Sequence, residues 1–316
     1  MEIRGGQMKK IVALDIGGTS IKYGIVSEVG EILFQSEKPT NALRGGAFLM
    51  KTVEEIVETL LAQENNFVGI GVSTAGQIAP ETGEVVFANE NLPGWTGMKI
   101  RENLENMFHL PTFVENDVNA AALGELWVGA GKGKKDFLCI TVGTGVGGAI
   151  VMNGQIYHGA TGSAGEFGHL LLKKGGYLCN CGQRGCFEQY ASTGALIRHV
   201  QSLYVERGEN VTEPINGKWI FEQAAIGNAV CQEGIEYFID HLAVGLATLV
   251  HIFNPSLIVI GGGVSGQGHP LLQQINKKVE SYIMPSYREP LMIDFAKCGN
   301  GAGMLGAAYG LLNQIG

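Results

Sequence analysis

Three cysteines and one histidine stand close together in a short stretch of the chain. Cys179, Cys181 and Cys186 occupy one segment, and His169 precedes the first of them by ten positions. Three thiolates and one imidazole make up the donor set of a tetrahedral Zn²⁺ site. The pattern therefore predicts a zinc loop, with a pair of disulfides or unrelated buried thiols as the alternatives.

Two acidic residues, Glu166 and Glu188, bracket this loop, and carboxylates beside a metal indicate ligand binding as well as folding. The start of the chain, MEIRGGQMKK, has no apolar segment of the signal-peptide type, and no apolar run reaches the ~18 residues of a membrane span. We therefore expect a cytoplasmic protein without a membrane partner, in a reducing compartment that favours metal over disulfides. Met8 is a candidate initiator, which would make residues 1–7 an extension.

The composition is that of a globular protein with about two domains, since 316 residues exceed the ~150 of one typical domain. The net charge of −8 argues against a nucleic-acid surface. The 48 glycines cluster in short runs after apolar segments, which indicates phosphate sites built from backbone N–H groups. A polyanionic ligand would then be held locally, by those groups and a metal ion.

The glycine runs occur in two similar hairpins. An apolar strand at residues 10–16 leads through Gly17-Gly18-Thr19 into a second strand, and residues 137–157 repeat the order with the turn Gly143-Thr144-Gly145. Two such halves predict a nucleotide clamped between two domains. Asp15 ends the first strand, where a carboxylate could hold hydrated Mg²⁺ near phosphate. An ordinary hairpin with a polar cap is the alternative for each turn.

A second candidate for chemistry lies at Glu115-Asn116-Asp117, at the end of an apolar strand that reads PTFVEND. Polar groups at the carboxyl ends of strands often face a ligand site in α/β sheets. Phosphoryl transfer to an alcohol needs a carboxylate within reach of the hydroxyl proton, and Asp117 is the candidate for this base. The alternative is that Asn116 or Asp117 serves as the N-cap of the helix that follows.

Two superficial motifs are rejected. GxGxxG occurs at Gly143, Gly145 and Gly148 and again at Gly261, Gly263 and Gly266, but a dinucleotide fold needs a helix directly after the glycines. The first run returns as a strand, and the second meets GQGHP before any helix. The basic stretch GAGKGKK at 129–135 lacks the GK[ST] of a P-loop and is interpreted as a solvated turn.

Hydrophobic periodicity predicts alternating strands and helices around these motifs. Residues 80–95 are rich in turn formers and are predicted to carry neither. The predicted strands cover residues 10–16, 21–27, 31–37, 67–76, 111–117, 137–157, 257–260 and 291–296. The predicted helices cover 47–63, 100–108, 118–130, 191–206, two segments within 219–253, 271–282 and 301–315.

Together these residues resemble the ROK family of sugar kinases and sugar-responsive repressors, from about Ile11 to Leu312. The matching segments are ALDIGGTSIKYGIV and ITVGTGVGGAIV for the phosphate hairpins, ENDVNAAALGE for the catalytic segment, GEFGHLLL with CNCGQRGCFE for zinc, and LIVIGGGVS for the adenosine side. The family's repressors carry an added N-terminal DNA-binding region. Here the first strand is predicted near residue 10, so we expect no such region and no nucleic-acid partner.

The resemblance implies an actin-like (ribonuclease H-like) α/β fold, a duplicated two-domain ATPase with ATP and sugar in the interdomain cleft. The expected domains are residues 1–117, joined by a C-terminal helix at about 303–316, and residues 118–302, which contain the zinc loop 166–188. The implied cofactors are ATP, Mg²⁺ and Zn²⁺. The implied partners are a hexose substrate and a second copy of the chain in a homodimer.

The resemblance also implies roles for individual residues. Asp117 would take the proton from the sugar 6-hydroxyl as it attacks the γ-phosphate. His169 would bind zinc through one ring nitrogen and sugar through the other, which two distinct nitrogens permit. The implied sugar contacts are Gly76, Asn116, Asp117, Glu166, His169 and Glu188. The implied nucleotide and magnesium contacts are Asp15, Gly17, Gly18, Thr19, Thr144, Gly145, Gly261, Gly262 and Gly263. The implied zinc ligands are His169, Cys179, Cys181 and Cys186.

The expected function is therefore an ATP-dependent hexose kinase acting on a glucose-like sugar. N-acetylmannosamine, N-acetylglucosamine and β-glucosides are alternative substrates, and a sugar sensor or a zinc redox or interaction module are alternative functions. Residues near Gly76-Gln77 and Asn89–Asn91 are expected to discriminate among sugars. Some N-acetylmannosamine kinases of the family carry Arg where Gln77 stands here, so a neutral hexose is favoured.

Overall fold

The structure is a computed structural model that describes residues 8–316, so the proposed extension 1–7 lies outside the described residues. The chain divides into two compact units. The first comprises the residues up to Lys135 together with Ile150–Ala164 and Lys297–Gly316, and the second comprises Asp136–Ala149 and Gly165–Ala296. This grouping adds 118–135 and 150–164 to the first unit; the domain boundary at 117/118 stays a prediction.

The first unit is built on a five-stranded sheet with the order β3-β2-β1-β4-β7. β1, β4 and β7 are parallel to one another, while β2 and β3 are antiparallel to their neighbours. The near-continuous apolar sequence of β1 and β4 is typical of strands that are covered on both faces. The strands are β1 (Lys10–Ile16), β2 (Ser20–Ser27), β3 (Ile32–Pro39), β4 (Phe67–Thr74), β5 (Gln77–Ile78), β6 (Val85–Phe87) and β7 (Thr112–Asn116).

The second unit is built on a sheet with the order β10-β9-β8-β11-β12, in which β8, β11 and β12 are parallel. β9 begins in the second unit and ends in the first. Both sheets thus consist of a hairpin followed by parallel strands, as expected for a duplicated fold. The strands are β8 (Phe137–Val142), β9 (Val146–Met152), β10 (Gln155–Ile156), β11 (Leu257–Gly261) and β12 (Met292–Phe295).

Helices cover both faces of the first sheet. Leu49, Val53 and Leu60 of α1 lie in one apolar core, while Met304 and Leu311 of α9 lie in a second core. In the part of the chain that is described, the helices are α1 (Gly46–Gln63), α2 (Ile100–Phe108), α3 (Asp117–Val128), α4 (Glu188–Ala191), α5 (Thr193–Glu206), α6 (Gly217–Ala225), α7 (Ala229–Phe253), α8 (His269–Tyr282) and α9 (Ala302–Ile315).

The helix α7 is the long apolar helix of the second unit. Within residues 8–316 it is the single helix long and apolar enough to span a membrane, and half of its most apolar window is buried inside the protein. Burial of this kind is also what a core helix of a globular protein shows. Asn254 ends the helix in a left-handed conformation directly before Pro255, as the Asn-Pro pair predicts.

The elements match the predicted order, with three differences. Helix α3 begins at Asp117, one residue earlier than predicted. The predicted helix 191–206 is divided, because Ser192 is extended and its hydroxyl caps α5 at Ala195. The short β5–β6 hairpin was not predicted, since its two strands have only two and three residues in a turn-rich segment.

Helices α3 and α9 pack closely through small residues. A Cβ on Gly306 would overlap the carbonyl of Ala120, and a Cβ on Gly124 would come within 2.5 Å of the carbonyl oxygen of Ala302. Each helix backbone therefore lies directly against the other, which is possible only where side chains are absent. The run GAGMLGAAYG at the start of α9 is explained by this contact and not by a phosphate site.

We expect Gly306→Ala to lower the free energy of unfolding by about 1–3 kcal/mol, because the added methyl group overpacks the α3–α9 contact. Thermal unfolding followed by circular dichroism measures the change. The matched control is Gly266→Ala, since nothing lies within 4 Å of a Cβ at Gly266. Equal midpoints for the two variants would contradict the packing argument.

Candidate active site

The carboxyl ends of β1, β4 and β7 bring polar side chains to one edge of the first sheet. Asp15 pairs in register with Ser73, and Thr74 pairs with Asn116. The Ser73 hydroxyl donates a hydrogen bond of 2.7 Å to Asp15 Oδ1. Parallel strands end at the same edge, so residues far apart in the sequence converge there.

Asn116 and Asp117 stand where β7 turns into α3. The Asn116 side-chain oxygen accepts hydrogen bonds from the backbone N–H groups of Val118 and Asn119, so Asn116 is the N-cap of α3. Its amide nitrogen donates to Asp117 Oδ1 at 2.9 Å and to the Gly76 carbonyl at 2.9 Å. Capping and ligand binding are therefore not exclusive here. Because Asn116 carries out the capping, Asp117 remains available for chemistry.

Burial raises the pKa of the two carboxyl groups at this edge. Burial raises the pKa of Asp15, opposed by the hydrogen bond from Ser73 and the charge of Lys22. The pKa of Asp117 is raised to about 6, first by burial and then by the nearby charge of Asp15, while hydrogen bonds from Val118 and Asn116 oppose the shift. Asp117 is thus a carboxylate at neutral pH that holds a proton more readily than an ordinary aspartate.

The first glycine turn lies beside Asp15. The Gly17 N–H donates to the Ser20 carbonyl at 2.9 Å, and the Thr40 hydroxyl donates to the Gly17 carbonyl at 2.7 Å, which fixes the turn. Gly18 and Thr19 are exposed. Their backbone and the Thr19 hydroxyl are accessible to a ligand, as an anion site requires.

Two glycines adjoin this edge because their neighbours leave no room for a side chain. A Cβ on Gly303, near the start of α9, would lie 2.6 Å from the Asp15 carboxyl carbon. Gly76 follows β4 with a φ of 110°, and a Cβ there would lie 2.7 Å from the Phe87 carbonyl oxygen. The Gly76 carbonyl can therefore turn toward Asn116, a conformation that favours glycine.

The second glycine turn lies between β8 and β9 in the second unit. The Gly143 N–H donates to the Gly145 carbonyl at 2.9 Å, and Thr144 is exposed. Glu188 lies against this turn: its Oε2 accepts a hydrogen bond of 3.0 Å from the Val146 N–H, and a Cβ on Gly145 would collide with it. The zinc loop and the second turn are therefore connected through one carboxylate.

The third glycine run lies at the same edge of the second sheet. Gly261 pairs in parallel register with Thr141, so Gly262 and Gly263 follow β11 beside the end of β8. Gly262 has a φ of 82°, and a Cβ there would overlap the backbone of Val142. After the turn at 263–267 a cavity of about 850 Å³ opens between α6, α7 and α8.

The predicted zinc ligands converge. One ligand atom from each of His169, Cys179, Cys181 and Cys186 lies within 4.8 Å of the others. The Cys181 and Cys186 sulfurs are 3.5 Å apart, and His169 Nδ1 lies 3.7 Å from the Cys179 sulfur. Ligands at ~2.3 Å from a tetrahedral ion lie roughly 3.8 Å from one another, so these four fit such an ion. Within the described residues, Cys179, Cys181 and Cys186 form no disulfide, which argues against the disulfide alternative.

The two nitrogens of His169 face different groups. Nδ1 points to the Cys179 sulfur, whereas Nε2 lies 3.9 Å from Glu166 Oε2. Glu166 is about half exposed, so this pair is accessible to a ligand. Tyr190 holds the loop from the other side, because its hydroxyl accepts a hydrogen bond of 3.1 Å from the Tyr177 N–H.

The structure also brings forward residues that the sequence did not single out. Ser73 is an ordinary strand residue in the sequence, and only the parallel register places it on Asp15. His158 belongs to none of the sequence motifs, yet its Nε2 lies 2.7 Å from Glu115 Oε2. The 43 positions between them leave no local signal of this pair.

Each of the two α/β units carries a Gly-Thr hairpin at the carboxyl end of the first strand of its sheet, which is the pattern of the actin-like fold of two-domain ATPases. Solved structures that are similar to the chain have this fold. The model of the ROK family matches residues 11–314. The chain therefore belongs to the ROK family, as the sequence motifs predicted.

The relatives include enzymes and regulators. A glucokinase of Halalkalibacterium halodurans is 37% identical, with 94% of this chain and 93% of the relative covered. A β-glucoside kinase of Listeria monocytogenes is 32% identical, covering 96% and 98%. A xylose repressor of Caldicellulosiruptor bescii is also 32% identical, covering 96% and 78%. A ROK glucokinase of Streptomyces griseus, solved in complex with glucose and AMPPNP, superimposes with a TM-score of 0.81 at 33% identity, covering 96% and 98%.

We expect Asp15→Asn to lower the pKa of Asp117 below 6, because it removes the like charge that helps to raise this pKa. Carbon-detected NMR titration of ¹³C-aspartate protein measures the shift, with Asp117→Asn to assign the resonance. Glu31→Gln is a control, since Glu31 is exposed and lies outside the carboxylate pair. An Asp117 titration that is the same in all three proteins would contradict the proposed coupling.

Proposed function

We propose that the protein is an ATP-dependent hexose kinase that phosphorylates the 6-hydroxyl of a glucose-like sugar, with Asp117 as the general base. The observation that carries the proposal is the Asp117 carboxylate, held by the Asn116 amide at 2.9 Å in the same unit as the exposed Gly17–Thr19 turn. A base and a phosphate turn in one unit are what transfer to an alcohol requires. The glucokinase relatives support the same activity.

Asp117 accepts the proton as the sugar hydroxyl attacks the γ-phosphate. A pKa of about 6 keeps the group ionised at neutral pH and makes it a stronger base than an exposed aspartate. The Asn116 amide orients the carboxylate, and its oxygen remains engaged with the start of α3. In this proposal Asn116 and the backbone of Gly76 also contact the sugar hydroxyls.

The donor nucleotide binds through backbone groups in this proposal. Gly18 and Thr19 in the first unit, and Thr144 and Gly145 in the second, present N–H groups to the phosphates. Gly17 forms the turn that exposes its neighbours, since its own N–H is donated to the Ser20 carbonyl. Gly261–Gly263 approach the adenosine. Asp15 fits a hydrated Mg²⁺ because its carboxylate lies beside the exposed turn, and the hydrogen bond from Ser73 engages one of its two oxygens, Oδ1. Magnesium, when bound, supplies positive charge to the phosphates during transfer.

The zinc site has a structural role in this proposal. His169, Cys179, Cys181 and Cys186 hold the ion, which fixes the loop so that Glu166, Glu188 and the remaining nitrogen of His169 present hydrogen-bonding groups to the sugar. The geometry that supports this role is the direction of the two His169 nitrogens. Glu188 has a further partner in the Val146 N–H, so its sugar contact would use the other carboxylate oxygen.

The substrate we favour is glucose. Gln77, next to the sugar-contacting Gly76, is neutral, and Asn91 lies beside the first glycine turn, 3.6 Å from a Cβ placed on Gly18. These groups suit recognition of sugar hydroxyls. Position 77 carries a neutral Gln and not the Arg found in some N-acetylmannosamine kinases of the family. N-acetylated hexosamines and β-glucosides are the competing substrates. A coupled ADP-release assay over a hexose panel, with kcat/KM for each sugar, decides among them.

A sugar sensor is the second candidate, because the relatives include a xylose repressor. Asp117 and both Gly-Thr turns are intact, and a sensor without catalysis has no need of a base with a raised pKa. The same hexose panel separates the two functions, since a sensor binds sugar without releasing ADP. A cytoplasmic homodimer remains our expectation for the kinase.

We expect Asp117→Asn to reduce kcat by roughly 10²–10⁴-fold, because loss of a general base removes that share of the acceleration. Sugar affinity, measured by isothermal titration calorimetry, should change far less. Asp240→Asn is the control, since Asp240 pairs with Lys278 on the surface of the second unit. Turnover in Asp117→Asn within threefold of the unaltered protein would rule out Asp117 as the base.

We expect zinc removal to weaken sugar binding more than nucleotide binding, because the proposed sugar contacts Glu166 and His169 lie on the metal loop. Chelation and Cys181→Ser test this by calorimetry with glucose and with a non-hydrolysable ATP analogue. Cys298→Ser is the matched control, since Cys298 lies outside the four-residue cluster. Unchanged sugar affinity in zinc-free protein would refute the prediction.

A further inference from the structure

The buried Glu115 carboxylate joins three elements of the first unit. Glu115 is 3% exposed and stands one residue before the end of β7. Its Oε1 accepts hydrogen bonds from the Asn116 N–H at 2.9 Å and from the Asn119 side-chain amide at 3.1 Å. Its Oε2 lies 2.7 Å from His158 Nε2. One carboxylate thus connects the strand end, the first turn of α3 and the segment after β10.

Each of the first two donors belongs to the segment that carries the proposed base. Asn116 is the N-cap whose amide contacts Asp117, and Asn119 lies in the first turn of α3. A carboxylate that holds both therefore fixes the direction in which β7 turns into α3. Displacement of Glu115 would move the backbone on which Asp117 is mounted.

His158 is the cationic partner that makes this arrangement possible. A buried carboxylate is costly unless it is paired and hydrogen-bonded. The His158 backbone is anchored, since its carbonyl accepts a hydrogen bond of 3.1 Å from the Ala164 N–H, and its side chain is 27% exposed. The ring also borders a cavity of about 500 Å³, through which solvent protons reach it.

The charges that face His158 are few. Glu115 on β7 is the group that acts on its pKa, and Tyr309 on α9 is the other titratable side chain around the cavity; Asn153, Gln155 and Asn313 supply uncharged polar groups. The hydrogen bond to Glu115 raises the pKa of His158 above its ordinary value, and burial opposes the shift. His158 is therefore charged below its folded-state pKa, and it loses that charge as the pH rises through this pKa.

We propose that His158 is a positioning residue for phosphoryl transfer: through Glu115 it holds the Asn116–Asp117 junction in the orientation that the base requires. The inference rests on the proposed kinase activity. Neutral His158 still donates a hydrogen bond, but without its charge it holds the buried carboxylate less firmly. The rate of the kinase should then fall at acid pH, as Asp117 becomes protonated, and at alkaline pH, as His158 loses its proton. These two changes are the acidic and alkaline limbs of its pH–rate profile.

The first experiment follows the coupling by NMR and needs no catalysis. The backbone amide of Asn116 and the side-chain amide of Asn119 are recorded in ¹⁵N-labelled protein against pH, with the His158 ring as reference. We expect both amides to titrate with His158, above pH about 6.5. In His158→Gln, which keeps a neutral donor, neither amide should titrate in this range. Amides that do not follow His158 in the unaltered protein would overturn the proposal.

The second experiment measures kcat and KM for the best sugar against pH. His158→Gln should lose the alkaline limb and show throughout the lower rate that the unaltered enzyme reaches at high pH. His158→Ala, which removes the donor, should lose roughly 10- to 100-fold in kcat, as expected for a misplaced catalytic group. His269→Gln, an exposed histidine of the second unit, is the control and should keep the normal profile.

The outcomes separate positioning from a purely structural role. An unchanged alkaline limb in His158→Gln, or unchanged kcat in a folded His158→Ala, would overturn the proposal. If His158→Ala fails to fold, His158→Gln and Glu115→Gln decide, because both retain a hydrogen-bonding partner. Failure of the kinase assignment is distinguishable, since the unaltered protein would then be inactive on every sugar while the amide titration still reports the coupling.

Discussion

Two buried carboxylates that lie close together repel each other. The residues around Asp15 and Asp117 are arranged to hold both carboxylates in spite of this repulsion. Each carboxylate receives a hydrogen bond from a neighbouring side chain, Ser73 for Asp15 and Asn116 for Asp117. These bonds are sufficient to keep the groups in place but not to lower both pKa values. The burial and repulsion that these bonds do not compensate raise the pKa of Asp117. A raised pKa is the property that a general base at neutral pH needs.

The same constraint explains why the supporting residues are backbone donors, amides and glycines. A lysine or arginine beside Asp117 would lower its pKa and make it a weaker base than the proposed role requires. In this site a neutral amide from Asn116 orients the carboxylate instead. The cationic partner stands one layer away, where His158 compensates the charge of Glu115. His158 thus compensates a buried charge, that of Glu115, while the neutral Asn116 leaves the pKa of Asp117 high.

The fold could be predicted from the sequence because the signals of its elements are local. The apolar strands, the Gly-Thr turns and the cysteine spacing each lie within about ten residues, and the strands and helices that they predict are present. Asp15 and Asn116 could be placed at strand ends for the same reason, with Asp117 directly after Asn116, and the structure has them there. The Ser73–Asp15 and Glu115–His158 contacts could not be predicted, since these depend on the register between strands and on a segment 43 positions away. The β5–β6 hairpin was not predicted because strands of two and three residues are too short to show an alternating hydrophobic pattern.

The contact between Gly303 and Asp15 joins one of the first residues of the fold to one of the last. Helix α9 covers the sheet of the first unit, so that sheet lacks one of its two apolar covers until residues beyond 302 have been synthesised. At ~5–20 residues per second, translation leaves Asp15 without this cover for roughly 15–60 s. The order of the elements along the chain therefore makes α9 the element that completes the first unit during synthesis.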